Sequence, residues 1–386
     1  MPHPDLPILI LGTGLAGYNL AREIRKLDKT VPLVLVSRDA APFYSKPMLS
    51  NALAGGKTAE SLVMKSADRM AEELGARILA HTQVASIDTT ARQVSFSNGE
   101  QLAYRDLVLA VGADPIRLPL DGDSAADVLS VNDLDDFARF SARLDGVQRI
   151  AILGGGLIGC EFANDLLARG IAPTVLDPAP WPLGRLLPEA AGHWFQQRLE
   201  AAGVRFRMGT AARSVARQTD GCRLELDDGS QLDVDLVLSA VGLRPRTDIA
   251  ATAGLATQRG IVVDRRLAAS APHVYAIGDC AEVDGLSLPF VMPIMQQVRA
   301  LAQTLAGTPT DVRYPPMPVL VKTPAAPTVV APPAAGSDGT WQVDGDADGL
   351  TARFVAPDGS LRGFAVLGSA TAGKQALTAQ LPPTLG

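Results

Sequence analysis

The sequence predicts an α/β protein with two Rossmann-like folds followed by a small α+β domain, and three observations predict it. The apolar run Ile8-Leu9-Ile10-Leu11 breaks into the glycine loop Gly12-Thr13-Gly14-Leu15-Ala16-Gly17. A second run, Ile150-Ala151-Ile152-Leu153, breaks the same way into Gly154-Gly155-Gly156-Leu157-Ile158-Gly159. A late acidic turn, Ala276-Ile277-Gly278-Asp279-Cys280, follows the second fold. One glycine loop alone is weak evidence, because apolar-Gly turns are common. Two copies, each between a strand and a helix, point to two bound dinucleotides.

In each loop the first Gly makes the tight strand-to-helix turn and the second lets backbone approach a pyrophosphate. The third allows close helix–strand packing, and the helix N-terminus offers N–H donors to the phosphates. Two dinucleotides in one chain imply FAD together with a nicotinamide dinucleotide.

Residues 8–37 read as strand, loop, helix (Ala16 to Leu27) and strand (Leu33 to Val36), one βαβ unit. Residues 150–177 repeat it, with a helix from Leu157 to Arg169 and a strand from Thr174 to Asp177. Each fold then shows an alternating stretch with a turn, Gln93 to Gln101 and Cys222 to Leu232, which reads as a hairpin. Each closes on a buried-strand run stopped by glycine: Leu107 to Ala110 before Gly112, and Leu236 to Val241 before Gly242. Asp114-Pro115 to Pro119 reads as the link out of the first fold and Leu243 to Arg246 as the link back. If the Gly278-Asp279 turn serves the FAD fold, as the resemblance described below implies, the expected domains are a discontinuous FAD domain, residues 1–113 and 246–312, and an inserted NADH domain, residues 114–245. The proline-rich stretch from Tyr314, then two hairpin-like runs, mark a small C-terminal domain at residues 313–386.

A chain of 386 residues has room for two or three domains, and 47% hydrophobic with 20% charged residues describes a globular protein. The net charge of −6 gives no support for a nucleic-acid or anionic-membrane surface. Cys160, Cys222 and Cys280 form no C-x-x-C or C-x₄-C dithiol, so a disulfide framework, a metal or iron–sulfur site and a redox-active disulfide are not expected. That usage suits a reducing cytoplasm. The N-terminal apolar run dissolves into its glycine loop behind a leader with Asp5 and no Lys or Arg, so no signal peptide is expected. No run of about 18 apolar residues predicts a membrane span. His3, His81, His193 and His273 lie in separate segments without ligand spacing. Cys160 and Cys280 read as buried packing thiols, and Trp181 and Trp194 as packing residues near the NADH domain.

An acid at the end of the second strand accepts hydrogen bonds from the adenosine ribose, whereas an Arg there favours a 2′-phosphate. Asp177 holds that place in the second fold, with no Lys or Arg before Arg185, which favours NADH over NADPH. The first fold departs from this pattern: its strand ends Val36-Ser37-Arg38-Asp39, with Ser37 where the acid is expected. Ser37 can hydrogen-bond a ribose hydroxyl and Arg38 can contact the adenosine, but the weight for FAD then falls on Gly278-Asp279.

The whole chain resembles flavoproteins of the pyridine-nucleotide-disulfide oxidoreductase type, in their ferredoxin/rubredoxin reductase branch. The resemblance rests on Gly12 to Glu23, Tyr44-Ser45-Lys46-Pro47-Met48-Leu49-Ser50, Leu157 to Leu166 and Ser239 to Thr247. Gly278 to Gly285, Met317-Pro318 and Val321-Lys322-Thr323-Pro324 extend it. The glycine loops alone would fit the entire superfamily. The Lys46-Pro47 and Lys322-Thr323-Pro324 stretches are far more selective.

The resemblance implies catalytic roles for Lys46 and Glu161: Lys46 beside the flavin N5 region in a partly buried ion pair with Glu161, and Glu161 at the flavin or nicotinamide edge. Glu161 is also read as lying in the first turn of the second nucleotide helix, a favourable place for a carboxylate. Asp279 would accept from the ribityl chain of FAD. Pro47, Val84, Ala110, Gly112, Val291 and Lys322 would line the flavin, with Val291 preceding a helix that starts at Met292-Pro293 and ends near Leu305. The NADH set is Gly154, Gly156, Leu157, Ile158, Gly159, Asp177, Val241 and Gly242.

The implied reaction carries a hydride from NADH to FAD and single electrons on to rubredoxin, which serves alkane hydroxylation or oxygen detoxification. A ferredoxin–NAD reductase is the nearest alternative. An NADH oxidase or coenzyme A-disulfide reductase would place a catalytic Cys between Lys46 and Ser50, where none exists. A redox-sensing FAD/NADH module is the reading from another class, and the intact Lys46 and Glu161 favour turnover over it. The short C-terminal domain leads us to expect a monomer.

Overall fold

The computed structural model describes residues 6–386, so His3 and Asp5 lie outside the described residues. Ile8–Leu11, Leu33–Val36, Arg77–Leu79, Asp106–Leu109 and Val274–Ala276 form a five-stranded parallel sheet. Its spatial order is Val274–Ala276, Asp106–Leu109, Ile8–Leu11, Leu33–Val36, Arg77–Leu79. The strand before Gly278-Asp279 therefore pairs with the first fold, Tyr275 opposite Val108, although 165 residues of chain intervene between Leu109 and Tyr275. The runs are apolar because both faces of a parallel sheet are covered; Ile8, Leu9 and Ile10 are fully buried.

A second parallel sheet runs Arg205–Met208, Ala172–Asp177, Arg149–Leu153, Leu236–Ser239. In both sheets the chain leaves the first strand by a glycine loop and a helix, Leu15–Leu27 and Leu157–Leu167. The strand order reverses beside that first strand, and the crevice at such a switch point is where doubly wound sheets take ligands. The helix expected to reach Arg169 stops at Leu167, and the following strand starts at Ala172, two residues early.

The two expected hairpins each gain a third strand, giving antiparallel sheets Val84–Asp88, Gln93–Phe96, Gln101–Ala103 and Ala212–Gln218, Gly221–Leu226, Gln231–Val234. The two links do not run free. Ala113–Pro115 pairs antiparallel with Leu243–Pro245, so the inserted domain is entered and left through one two-stranded ribbon.

The C-terminal segment forms a five-stranded antiparallel sheet in the order Val319–Val321, Thr328–Ala331, Leu361–Gly368, Gly349–Val355, Thr340–Gly345. Its inner face is not a separate core. Val321, Ala326, Val330, Ala352 and Leu367 join Phe162, Leu166, Phe195 of the inserted domain and Leu49, Leu53 of the first in one buried cluster. Trp194, expected to pack near the NADH domain, reaches across to this sheet, its Nε1 donating to the Asp346 carbonyl at 3.0 Å. Trp181 stays inside the inserted domain and donates to the Leu187 carbonyl at 3.1 Å.

Candidate active site

Both glycine loops open into one cavity of about 1550 Å³. Single small-molecule sites are typically about 300–1,000 Å³, so this volume has room for two ligands. The first wall carries Gly12, Thr13, Gly14, Leu15, Ala16, Ser37, Arg38, Lys46, Pro47, Val84, Ala110, Gly112, Asp279, Val291 and Lys322. The second carries Gly154, Gly156, Leu157, Ile158, Glu161, Asp177, Val241 and Gly242. Gly17 and Gly159 are not on the wall. A Cβ on either would stand 1.9 Å from the carbonyl oxygen of Gly12 or Gly154, so their role is the close helix–strand approach.

The loops fit extended phosphate ligands on their own geometry. Gly14 and Gly156 are the N-caps of the two helices, and neither cap receives a side-chain hydrogen bond. The leading N–H groups of each helix thus lack a capping side chain. A Cβ on Gly14 or Gly156 would meet nothing within 4 Å, so the space in front of each helix is a ready cradle. Gly12, at φ +116°, cannot take a side chain at all: a Cβ would stand 2.2 Å from the Ala110 carbonyl oxygen. A third uncapped helix, Val291–Leu305, points its start at the cavity through Val291 and Met292.

The acid missing at Ser37 is supplied two residues later. Ser37 Oγ donates to Asp39 Oδ1 at 2.6 Å and accepts from Thr13 Oγ1 at 2.8 Å, and the Ala41 N–H donates to the same carboxylate oxygen at 2.8 Å. Ser37 is therefore a link between the glycine loop and Asp39, its proton already committed, rather than a free ribose donor. Asp177 in the second fold accepts from the Gly155 N–H at 2.6 Å and from Ala179 N–H at 2.8 Å, and so ties the strand end to its loop.

Lys46 and Glu161 are not partners, contrary to expectation. The Lys46 Nζ donates to Asn132 Oδ1 at 2.7 Å, with the Asp279 carboxylate at 3.9 Å. Burial holds the Lys46 ammonium below its ordinary range, and Asp279 opposes that shift. Burial likewise raises the Asp279 carboxyl, with Lys46 and then Arg246 opposing. Among the described residues Asp279 accepts no hydrogen bond, which leaves a largely buried carboxylate available to a hydroxyl-bearing ligand.

Glu161 pairs instead with Lys322. Its side chain is fully buried and accepts from the Lys322 ammonium, from Ser50 Oγ at 2.6 Å and from the Lys322 backbone N–H at 2.9 Å. Glu161 is the fifth residue of helix Leu157–Leu167, beyond the first turn, so its position answers to this network and not to the helix end. One turn on, Asp165 accepts from the N–H groups of Leu53 and Ala54 at 2.8 and 2.9 Å. The 3-10 turn Lys46–Asn51, which carries Lys46 and Ser50, is thereby held against the inserted domain by two buried carboxylates.

Arg246 and Ser50 lie in stretches that carry the resemblance but have no role assigned from sequence, and Asn132 carries no motif signal. Arg246 donates to Asp114 Oδ1 at 2.8 Å and to the Val111 carbonyl at 2.7 Å, closing the linker ribbon over the cavity. Cys160 and Cys280 are fully buried free thiols, and burial raises both, Cys280 to about 11. A thiol so protonated is a poor nucleophile.

Residues 6–304 match the family described as pyridine nucleotide-disulphide oxidoreductase, and residues 311–381 match the rubredoxin binding C-terminal domain. A relative named rubredoxin-NAD(+) reductase, from Alcanivorax borkumensis, is 48% identical over 97% of this chain and 98% of its own. One of the same name from Acinetobacter baylyi is 47% identical over 96% of each. Among solved structures, a ferredoxin reductase from Rhodopseudomonas palustris superimposes with a TM-score of 0.88 at 28% identity, covering 97% of this chain and 95% of that one.

Proposed function

The chain belongs to the pyridine nucleotide-disulphide oxidoreductase family, and from that premise we propose that it is an FAD-dependent reductase carrying electrons from NADH to rubredoxin. The observation that carries the acceptor is the C-terminal domain: the segment matching the rubredoxin-binding family also lends Lys322 to the cavity wall. Flavin, when bound, takes a hydride as an electron pair and releases electrons singly, which is what joins a nicotinamide to a one-electron carrier.

The chain's own residues do the rest. The loop starting at Gly12 and the Asp39 relay hold one dinucleotide, and the loop starting at Gly154 with Asp177 holds the other. Asp279 accepts from polyol hydroxyls of the first. Lys46 supplies a positive charge at the cavity wall, and Lys322 a second, fixed by Glu161. Apolar walls from Val84, Ala110, Leu157 and Val241 exclude water and strengthen those charges.

Among the described residues no helix is long and apolar enough to cross a membrane. We assign the protein to the cytoplasm and read it as a monomer, in keeping with three unpaired thiols and a short C-terminal domain.

Anaerobic NADH is expected to bleach the visible absorbance of the purified protein within milliseconds to seconds, and oxidised rubredoxin to restore it. Bleaching that rubredoxin fails to reverse would refute the acceptor. Asp177→Ala is expected to raise the KM for NADH about tenfold, one lost hydrogen bond to a charged group being worth about 1.5 kcal/mol. The same variant narrows the preference over NADPH, because the carboxylate no longer repels a 2′-phosphate; steady-state kinetics with both nucleotides measure it.

A further inference from the structure

Asn132 stands in the inserted domain, yet its amide serves the cation of the first. Its Oδ1 accepts from Lys46 Nζ at 2.7 Å, while its Nδ2 donates to the Ala113 carbonyl at 3.0 Å. The Ala113 carbonyl needs a donor, so the amide has one orientation, with its oxygen towards the ammonium. Its backbone N–H donates to Asp136 Oδ2 at 3.0 Å, and the residue is 6% exposed, so the side chain is fixed at both ends. Asp133, next in the chain, caps the helix Leu134–Ala142 through the Asp136 N–H at 2.8 Å, which anchors the segment behind Asn132.

The chemistry of the partner matters as much as its position. A carboxylate would hold the ammonium equally well but would cancel its charge. An amide accepts the hydrogen bond and stays neutral. Asp279, at 3.9 Å, is an ion-pair neighbour but lies beyond hydrogen-bond reach, and Asp114 is occupied by Arg246, so the direct acceptor on the ammonium is the neutral amide. The Lys46 side chain keeps 35% of its surface open to the cavity, so its field falls on whatever lies there. We propose that Asn132 is a positioning residue that aims the Lys46 ammonium at the electron-accepting ligand without adding a second, closer carboxylate to the one Asp279 already presents. Asn132 thereby makes flavin reactivity depend on the seating of the inserted domain.

This assignment rests on the flavin reading above, and the test separates the two. Sulfite, an anion that adds reversibly to oxidised flavins, reports the positive potential at the flavin without turnover. Flavin content is measured first, then sulfite affinity from the loss of visible absorbance. Asn132→Asp, isosteric and still an acceptor, is expected to hold flavin and to bind sulfite at least tenfold more weakly. Asn132→Ala, which frees the ammonium to move towards Asp279, is expected to weaken sulfite by a smaller factor of at least threefold. Sulfite affinity within twofold of the parent in a flavin-loaded Asn132→Asp overturns the assignment. If Asn132→Asp purifies without flavin, Asn132→Ala decides by the same limits. A parent protein that takes up no flavin would overturn the flavin reading itself, and this inference with it.

Discussion

Glu161→Ala is expected to lower the thermal midpoint of the flavin-loaded protein by about 6–12 °C and to slow its reduction by NADH at least tenfold. The substitution strips three donors of their acceptor at once: the Lys322 ammonium, the Lys322 backbone N–H and the Ser50 hydroxyl. Breaking a buried ion pair by removing one partner costs about 3–5 kcal/mol. Lys322 keeps 24% of its side-chain surface open to the cavity, so the low end, about 3 kcal/mol, applies here. At about 2–4 °C per kcal/mol that becomes the stated fall. Because Glu161, Lys322 and Ser50 come from three different parts of the chain, the loss also loosens the C-terminal sheet and the Lys46–Asn51 turn. Glu161→Gln, which keeps an acceptor for Ser50, should fall between. Lys322→Met combined with Glu161→Gln should be less damaging than the sum of the two, a coupling that a double-mutant cycle reads directly. A Glu161→Ala protein that melts within 1 °C of the parent would sink this account of the network.

The second large effect separates the two nucleotide sites. Gly14→Val is expected to fold normally and lose at least about a hundredfold in flavin affinity, since two charge-assisted hydrogen bonds to phosphate are worth about 3 kcal/mol. Folding survives because Gly14 sits at φ −69° with nothing within 4 Å of a Cβ, so the new side chain fills only the cradle. Gly156→Val makes the same change at φ −78° in the second loop, and should keep its flavin while its KM for NADH rises by a comparable factor. Gly12→Ala is the contrast, since the 2.2 Å clash with the Ala110 carbonyl attacks the fold itself. Flavin absorbance per protein, circular dichroism and NADH kinetics distinguish the three. Loss of NADH binding in Gly14→Val protein that retains full flavin would contradict the assignment of the loops.

What could be read in the sequence was local. The glycine loops and Asp177 are short motifs read from their own spacing, the Gly278-Asp279 turn takes its role from the resemblance, and all of them reach the cavity. The return of Val274–Ala276 to the first sheet was readable through the resemblance, which gives Asp279 to the flavin and so places the turn with the first fold. The charge pairing was not readable. Lys322 and Glu161 are 161 residues apart and meet only because the C-terminal sheet shares a core with helix Leu157–Leu167. Lys46 looked free to pair with Glu161 until Asn132 was seen to hold it, and Asn132 in sequence is one polar residue before a helix cap. Asp39 was passed over because a ribose acid is sought at the strand end itself, whereas here Ser37 relays to a carboxylate two residues later. The third strands at Val84–Asp88 and Ala212–Gln218 alternate too weakly for periodicity alone to mark them.

Electron delivery to rubredoxin is read by NADH-driven cytochrome c reduction with the FAD-loaded enzyme, comparing added rubredoxin with added ferredoxin at equal concentrations. Rubredoxin should stimulate the rate at least tenfold more than ferredoxin, and NADPH should support little of it. A rate that ferredoxin stimulates and rubredoxin does not would rule out rubredoxin as the acceptor.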